Sequence, residues 1–301
     1  MKGTATLAHF RVNLPALPAF HLQMTLTSVG ILTFCIAAGD LLTSIRIQDV
    51  ASISATLAMI VAAVLLVPLY WHEKGKIELR DAALTIPWGL LLTALLPLPV
   101  AVAAKLGMSI GLKDAYFAHM DGSLGVNIPG IMAWASRNWL GQAANWTYPL
   151  LIAMVPFSFL MTALTGKVKQ AQQFLTSNVI AFAVGLTVFA LLPAVGPWWG
   201  YHFAPSAGQA ECQQSLLLLR TSGPHVLQPE GVVCFPSFHV FWAILCARTL
   251  WCFWPFRIPA SLLSCLIVLS TMTTGWHYFV DVLAGCVLAV VAIAAAKALP
   301  T

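Results

Sequence analysis

Long apolar runs separated by short polar loops make up most of the chain. At a rise of ~1.5 Å per residue, a helix of about 20 apolar residues spans the hydrocarbon core of a bilayer. The alternating segments of about ten residues that are typical of membrane β-barrels do not occur in the sequence. The pattern therefore predicts an all-α, polytopic membrane helical bundle of about eight transmembrane helices. They are predicted at about 26–44, 50–71, 85–106, 148–166, 179–199, 238–254, 258–275 and 279–298.

The composition agrees with a chain that lies mostly in lipid. Of the 301 residues, 59% are hydrophobic and 8% are charged, whereas an average soluble domain carries about 25% charged residues. No internal repeat, low-complexity tract or soluble domain interrupts the pattern, so residues 1–301 are interpreted as a single membrane domain. Its parts are N-terminal helices with a cytoplasmic loop (1–84), an outer interfacial segment (107–147) and core helices that carry the candidate site (179–299).

The distribution of basic residues predicts the orientation of the bundle. Cytoplasmic loops of membrane proteins carry an excess of lysine and arginine. Ten of the 15 basic residues fall on one side of the predicted helices, so that side is interpreted as cytoplasmic. Both termini then lie in the cytoplasm, and we expect the protein in an inner or plasma membrane. Because the basic residues are scattered through short loops, no nucleic-acid partner is expected.

Two histidines and an aspartate meet at the outer face of the predicted bundle. Between His239 and His277 the chain crosses the membrane twice, so both residues return to the same face. Asp281 lies four residues after His277, where its carboxylate can hydrogen-bond the imidazole on one side of a helix. Pro236 and Ser237 are typical of a helix start, whose free N–H groups bind phosphate. We interpret this cluster as a candidate site.

The residue types in the cluster favour phosphoryl transfer. An imidazole oriented by a carboxylate is a good nucleophile toward phosphorus, and a second histidine can protonate the leaving alkoxide. The predicted reaction passes through a phosphohistidine and uses no metal or other cofactor. Three alternatives stay open at this point. Two histidines and one aspartate also suit a zinc site, a proton relay in a transporter, or a purely structural cluster.

The outer loops supply further candidates. The segment 107–147 is too long for a simple connection, and its aromatic and methionine residues predict short interfacial helices that cover a lipid-facing cavity. Asp121 and Arg137 are its candidate substrate-binding residues. In the next outer loop, Cys212 and Cys234 are expected to form a disulfide if the outer compartment is oxidising. Two free thiols are the alternative.

The motifs around the histidines resemble those of the type 2 phosphatidic acid phosphatase superfamily. The family's Pro-Ser-x-His segment is matched at 236–239. Its Ser-Arg-x5-His-x3-Asp segment is matched in part, by Ser270, His277 and Asp281, with Thr271 at the arginine position. The family's Lys-x6-Arg-Pro segment is absent from the sequence. The resemblance covers the C-terminal third of the chain, and it implies a six-helix core.

The resemblance also implies a role for each matched residue. His277 is expected to be the nucleophile, Asp281 the residue that orients it, and His239 the general acid. Ser237 and Ser270 are expected to contact the phosphate.

Three cations of the family pattern are missing, the arginine at position 271 and the lysine and arginine of the absent segment, which changes the expected substrate contacts. Phosphoryl transfer needs positive charge against the phosphate oxygens. We expect Arg220 to supply this charge from the outer loop, with Arg137 and Lys113 as less favoured candidates. Otherwise the substrate is a phosphodiester, which carries less charge.

Within the superfamily, the sequence is similar to the branch that contains inositol phosphorylceramide synthases and other lipid headgroup transferases. The segments FPSFHV (235–240), HYFVDVLAG (277–285) and DGSLG (121–125) carry this resemblance. It implies a membrane phosphotransferase or phosphoesterase that acts on a lipid phosphate or phospho-headgroup, with headgroup transfer favoured over hydrolysis by a lipid phosphate phosphatase. The expected partners are a lipid substrate and the bilayer. A proton-coupled transporter is the alternative from a different functional class.

Overall fold

The computed structural model describes residues 19–37, 45–47, 77–95, 97–221, 225–227 and 232–299, and most of these residues are helical. The helices are α1 (Ala19–Ala37), α2 (Ile77–Leu95), α3 (Pro97–Leu106), α4 (Asp114–Ser123), α5 (Ile128–Arg137), α6 (Trp139–Thr147), α7 (Leu150–Leu164), α8 (Val168–Leu191), α9 (Pro197–Gly200), α10 (Ala207–Leu219), α11 (Phe238–Leu250), α12 (Arg257–Thr273) and α13 (Phe279–Ala298). Two 3₁₀ turns, Gly107–Ser109 and Trp254–Phe256, and two short parallel strands, β1 (Ile45–Ile47) and β2 (His225–Leu227), complete the described part. The predicted all-α membrane fold is confirmed.

Several helical segments are long and apolar enough to cross a bilayer. Within the described ranges they are Leu84–Ser109, Val168–Leu191, Trp254–Thr273 and Phe279–Ala298. The pair Trp139–Thr147 and Leu150–Leu164 forms a further span if its two helices are counted together across a bend of 52°. The chain is therefore an integral membrane protein. The helix predicted at 50–71 lies outside the described residues.

Among the described helices, α8 differs most from the boundaries that the sequence predicts. It runs over Val168–Leu191, whereas the apolar run predicted 179–199. Its first turns contain lysine and glutamine, which lower the hydropathy but have high helix propensity. Its carboxyl end lies just before Pro193 and Pro197, because proline within a helix removes a backbone hydrogen bond and clashes with the preceding turn.

Among the described helices, the bundle that carries the candidate site is built around α11. This helix packs against α7, α8, α12 and α13, and α8 also packs along α13, α2 and α3. Phe189, Phe241 and Ile267 are fully buried between these helices. Gly285 on α13 lies so close to α11 that a Cβ there would stand 2.6 Å from the carbonyl oxygen of Ser237. Near the start of α11, the two helices therefore lie closer together than a side chain at position 285 would allow.

The long segment before α7 folds into short helices, as its length and composition predicted. Helices α4, α5 and α6 follow one another, and Asn127 caps α5 by accepting a hydrogen bond from the N–H of Gly130. Helices α5 and α6 pack against α12. Trp139 and Trp146 on α6 are 79% and 80% exposed, an arrangement typical of side chains at the membrane–water interface.

The orientation predicted from the basic residues can be tested by cysteine labelling. Glu211 and Lys169 are exposed. Lys169 lies in the first turn of α8, and Glu211 lies on α10, which follows the other end of α8. In a background without the seven native cysteines, we expect a membrane-impermeant maleimide to label Glu211→Cys on intact cells. Lys169→Cys should react only after the cells are permeabilised. The reverse labelling pattern would place the candidate site on the cytoplasmic face.

Candidate active site

The structure brings the two predicted histidines into contact. His239 lies in the first turn of α11, and His277 lies in the turn between α12 and α13. Their ring centroids are 5.5 Å apart, with an angle of 56° between the ring planes. The close approach follows from topology, since the two helices between these residues form a hairpin that starts and ends at the same end of the bundle.

Asp281 adjoins His277 on the first turn of α13. Its Oδ2 lies 3.4 Å from Nδ1 of His277 and accepts hydrogen bonds from the backbone N–H of Tyr278 at 2.9 Å and from Sγ of Cys234 at 3.1 Å. Its Oδ1 is buried and has no hydrogen-bond partner among the described residues. Oδ2 therefore holds the carboxylate beside His277, while Oδ1 stays available to accept a hydrogen bond.

The environment of His277 keeps its ring neutral. The side chain is 3% exposed, and burial lowers the pKa of His277 to about 4, although a hydrogen bond to the backbone of Cys234 acts in the opposite direction. At neutral pH the imidazole is therefore uncharged and has a free lone pair. Asp281 and the Cys234 carbonyl can stabilise positive charge that develops on this ring during a reaction.

Ser237 connects the start of α11 to α13. Its Oγ accepts a hydrogen bond from the N–H of Val240 at 3.3 Å, which makes Ser237 the N-cap of α11. Its own N–H donates to the carbonyl of Asp281 at 3.3 Å. Ser237 is fully buried, so its structural role is to hold the two helix starts together. Its predicted contact with phosphate stays a prediction.

A tight turn at the end of α12 presents His277. The carbonyl of Thr271 accepts hydrogen bonds from the N–H groups of Trp276 and His277, both at 3.0 Å. Gly275 has a φ of +74°, a conformation that favours glycine, and its carbonyl accepts from Nε2 of Gln209 at 3.1 Å. Thr271, which stands at the family's arginine position, thus contributes its backbone to the site. The hydroxyl of Ser270 donates to the carbonyl of Ile267 within α12.

Asp121 binds the amino end of α13. Its Oδ2 accepts from the N–H of Phe279 at 2.9 Å, and its Oδ1 accepts from the N–H of Val280 at 3.0 Å. Burial raises the pKa of Asp121, and these two N–H groups act in the opposite direction. Both carboxylate oxygens are therefore engaged with the backbone that follows His277. A contact with substrate, which the sequence suggested for Asp121, stays a prediction.

Asp114 is a further buried carboxylate, and the sequence did not single it out. It accepts hydrogen bonds from the N–H groups of Val195 and Gly196 at 3.0 and 2.8 Å, and from the hydroxyl of Tyr278 at 3.0 Å. Tyr278 directly follows His277 and is fully buried. Asp114 thus ties the loop after α8 to the chain segment that carries the nucleophile candidate. The sequence signal was weak, because an acid at the start of a helix is usually only a favourable charge.

The predicted phosphate-binding arginines do not contact the histidines. The guanidinium of Arg220 donates to the carbonyl oxygens of Gly107 and Ile110, which anchors the end of α10 to the turn after α3. Arg137 is exposed at the end of α5. In the part of the chain that the structure describes, no lysine or arginine forms a hydrogen bond or an ion pair with the His239–His277–Asp281 cluster.

The disulfide predicted between Cys212 and Cys234 is not present in the structure. Both residues are thiols, and the Cys234 thiol donates to Asp281 instead. Donor atoms of Cys234, His277 and Asp281 lie within 4.8 Å of one another. Sulfur, nitrogen and oxygen donors together suit a divalent metal such as zinc, so this set is a different metal-binding possibility from the two histidines and aspartate considered from the sequence.

A large apolar cavity adjoins the site. Its volume is about 960 Å³, and it lies between α1, α2, α3, α7, α8 and α11. Most of its lining is aliphatic or aromatic, including Phe159, Leu186 and Trp242. His239 is also part of the wall, so the cavity reaches one member of the histidine pair.

The comparisons with known proteins identify the family. A family model described as the PAP2 superfamily matches residues 115–295, a stretch that contains the whole His239–His277–Asp281 cluster. Because this is more than half of the chain, the protein belongs to the PAP2 superfamily. Its members are phosphatases and phosphotransferases, which supports an enzyme of this type. Comparisons with curated proteins and with solved structures found no match.

Replacing Asp121 with asparagine should destabilise the fold. An amide has one acceptor oxygen, so its NH₂ group would face one of the two α13 N–H donors and leave it unpaired. An unpaired buried donor costs about 1–3 kcal/mol. Thermal unfolding in detergent should therefore give a lower Tm for Asp121→Asn, whereas the exposed Glu211→Gln should leave it unchanged. An unaltered Tm together with a raised KM would instead assign Asp121 to substrate binding.

Proposed function

We propose that this protein is a membrane phosphotransferase or phosphoesterase that acts on a lipid phosphate or phospho-headgroup through a phosphohistidine. The observation that carries the proposal is the contact between His239 and His277, with Asp281 beside His277. Membership of the PAP2 superfamily supports phosphatase or phosphotransferase chemistry. The site is proposed to face the outer side of an inner or plasma membrane, in agreement with the excess of basic residues on the opposite side.

In the first half-reaction, His277 is the nucleophile. A proton on Nδ1, which faces Asp281, leaves the lone pair on Nε2 for attack at phosphorus. Burial and the neighbouring His277 lower the pKa of His239 to about 3, and an anionic phosphate beside the ring opposes this shift, so His239 takes up a proton when the substrate binds. As the N–P bond forms, the bond from phosphorus to the leaving oxygen breaks, and His239 gives this proton to that oxygen. In the second half-reaction, neutral His239 takes a proton from the acceptor hydroxyl, which attacks phosphorus and releases His277. Both histidines then return to their starting states.

The apolar cavity supports a lipid as the substrate. An acyl chain gains about 0.8 kcal/mol for each CH₂ group that it transfers from water to an apolar site. Pockets of roughly 300–1,000 Å³ bury most of a small-molecule ligand, and this cavity, of about 960 Å³, lies at the upper end of that range. Because His239 lies in its wall, a chain in the cavity would place the attached phosphate beside the histidine pair.

Headgroup transfer is favoured over hydrolysis by the charge of the site. A phosphate monoester carries more negative charge than a phosphodiester, and its transfer needs more cationic stabilisation. Thr271 replaces the family's arginine, and Arg220 is engaged with backbone carbonyls. A phosphodiester donor, as in reactions similar to that of an inositol phosphorylceramide synthase, suits such a site better. Lipid phosphate hydrolysis, with water as the acceptor, is the alternative.

Product analysis distinguishes the two reactions. We expect purified protein in vesicles to move a labelled phospho-headgroup from a phospholipid donor to a lipid with a free hydroxyl group. Chelator should leave the rate unchanged, since the proposed steps use only His277 and His239. Label released only as a water-soluble phosphorylated headgroup, with water as the acceptor, would identify a hydrolase, and proton-coupled flux without any new product would identify a transporter.

Separate substitutions test the roles of the two histidines. His277→Ala should abolish both turnover and the phosphoenzyme. His239→Ala should lower the rate with an alkoxide leaving group by about 10²–10⁴, the usual contribution of general acid catalysis. With a nitrophenyl phosphate ester, whose leaving group needs no proton, His239→Ala should keep most of its activity. If His239→Ala loses activity equally on both substrates and His277→Ala still forms a phosphoenzyme, the proposed roles are wrong.

A further inference from the structure

An aromatic side chain outside the family motifs lies against the general acid. Tyr148 stands at the break between α6 and α7. Its ring stacks on His239, with 4.7 Å between the centroids and 16° between the planes. It also stacks on Trp276, with a centroid distance of 5.9 Å and an angle of 10°. Both distances lie within the range of about 4.5–7 Å that is typical of aromatic pairs.

The stack is anchored at its far end. Trp276 contacts Trp198 edge to face, with 5.7 Å between the centroids. The indole N–H of Trp198 donates to the side chain of Gln213 at 2.9 Å. Tyr148 therefore joins His239 on α11 to a set of rings that is fixed by α9 and α10. The stack contains the ring of His239 itself and the ring of Trp276, the residue that directly precedes His277.

The two histidines are held in different ways. His277 is oriented by Asp281 and by the backbone of Cys234. The ring of His239 forms no hydrogen bond with any described residue, and its ring contacts there are with Tyr148 and His277. The plane of its imidazole is therefore set by stacking. Directed proton transfer needs a fixed plane, since the donor atom must face the leaving oxygen.

We propose that Tyr148 is a positioning residue that holds the imidazole of His239 in the plane required for proton transfer. The inference rests on the general-acid role of His239 in the proposed function. It assigns the effect to the aromatic face of Tyr148 and not to its hydroxyl group. A stacked aromatic pair shifts an equilibrium by roughly 2- to 13-fold, much less than the ~10²–10⁴ expected from the acid itself.

The test separates the effect of the aromatic ring at position 148 from the effects of side-chain volume and of losing an aromatic residue nearby. Tyr148→Phe keeps the stack, Tyr148→Leu removes it, and Tyr148→Met removes it while leaving a long side chain to fill the space. Trp146→Leu is the matched control, because it removes an exposed aromatic residue from the same end of α6. Each variant is assayed in vesicles with an alkoxide-leaving lipid substrate and with a nitrophenyl phosphate ester.

The expected result depends on the leaving group. Tyr148→Leu and Tyr148→Met should lower kcat for the alkoxide substrate by roughly 2- to 13-fold and leave the nitrophenyl reaction unchanged. Tyr148→Phe and Trp146→Leu should match the unmodified protein on both substrates.

Three results would overturn the assignment of Tyr148. They are an equal loss on both substrates, no loss on either, and a loss in Tyr148→Phe as large as in Tyr148→Leu. His239→Ala, measured in parallel, separates this inference from the proposed function. If the activity lost in His239→Ala depends on the leaving group and the activity lost in the Tyr148 variants does not, only the inference about Tyr148 fails. If His239→Ala shows no such dependence, the general-acid role itself fails.

Discussion

The amino end of α13 is the point on which the arrangement of the site depends. The N–H groups of Tyr278, Phe279 and Val280 bind the carboxylates of Asp281 and Asp121. Two carboxyl groups can share this place because the free N–H groups at a helix start need acceptors. His277 directly precedes these residues, so its backbone position is set by contacts that do not involve its own side chain. The nucleophile candidate is thus held from both sides, by the start of α13 and by the turn at the end of α12.

The meeting of the two histidines could be predicted from the sequence, whereas the residues that support them could not. Two apolar runs of spanning length return the chain to one face, and the spacing from His277 to Asp281 is that of one helical turn. Asp114 and Asp121 bind backbone N–H groups that lie more than 80 residues away in the chain. No local pattern reveals such contacts. For the same reason the thiol of Cys234 suggested a disulfide, although its partner is Asp281.

The environments of the two histidines differ in a way that suits two chemical tasks. His277 is enclosed by a carboxylate, a thiol and a carbonyl group, which favour the growth of positive charge on its ring. His239 lies between an aromatic face and the apolar cavity, where a charged ring is poorly stabilised and gives up a proton readily. Pairs of titratable groups in contrasting surroundings are a common basis for dividing roles in catalysis.

The apolar cavity also has a practical consequence for handling the protein. A detergent molecule, like a lipid, consists of a flexible hydrocarbon tail attached to a polar head, so solubilisation would introduce a ligand of the same general shape. Its tail would occupy the space between α2, α7 and α8, and its head would lie beside His239. Kinetic constants measured in micelles would then contain competition by the solubilising agent. Reconstitution in bilayers removes that competitor.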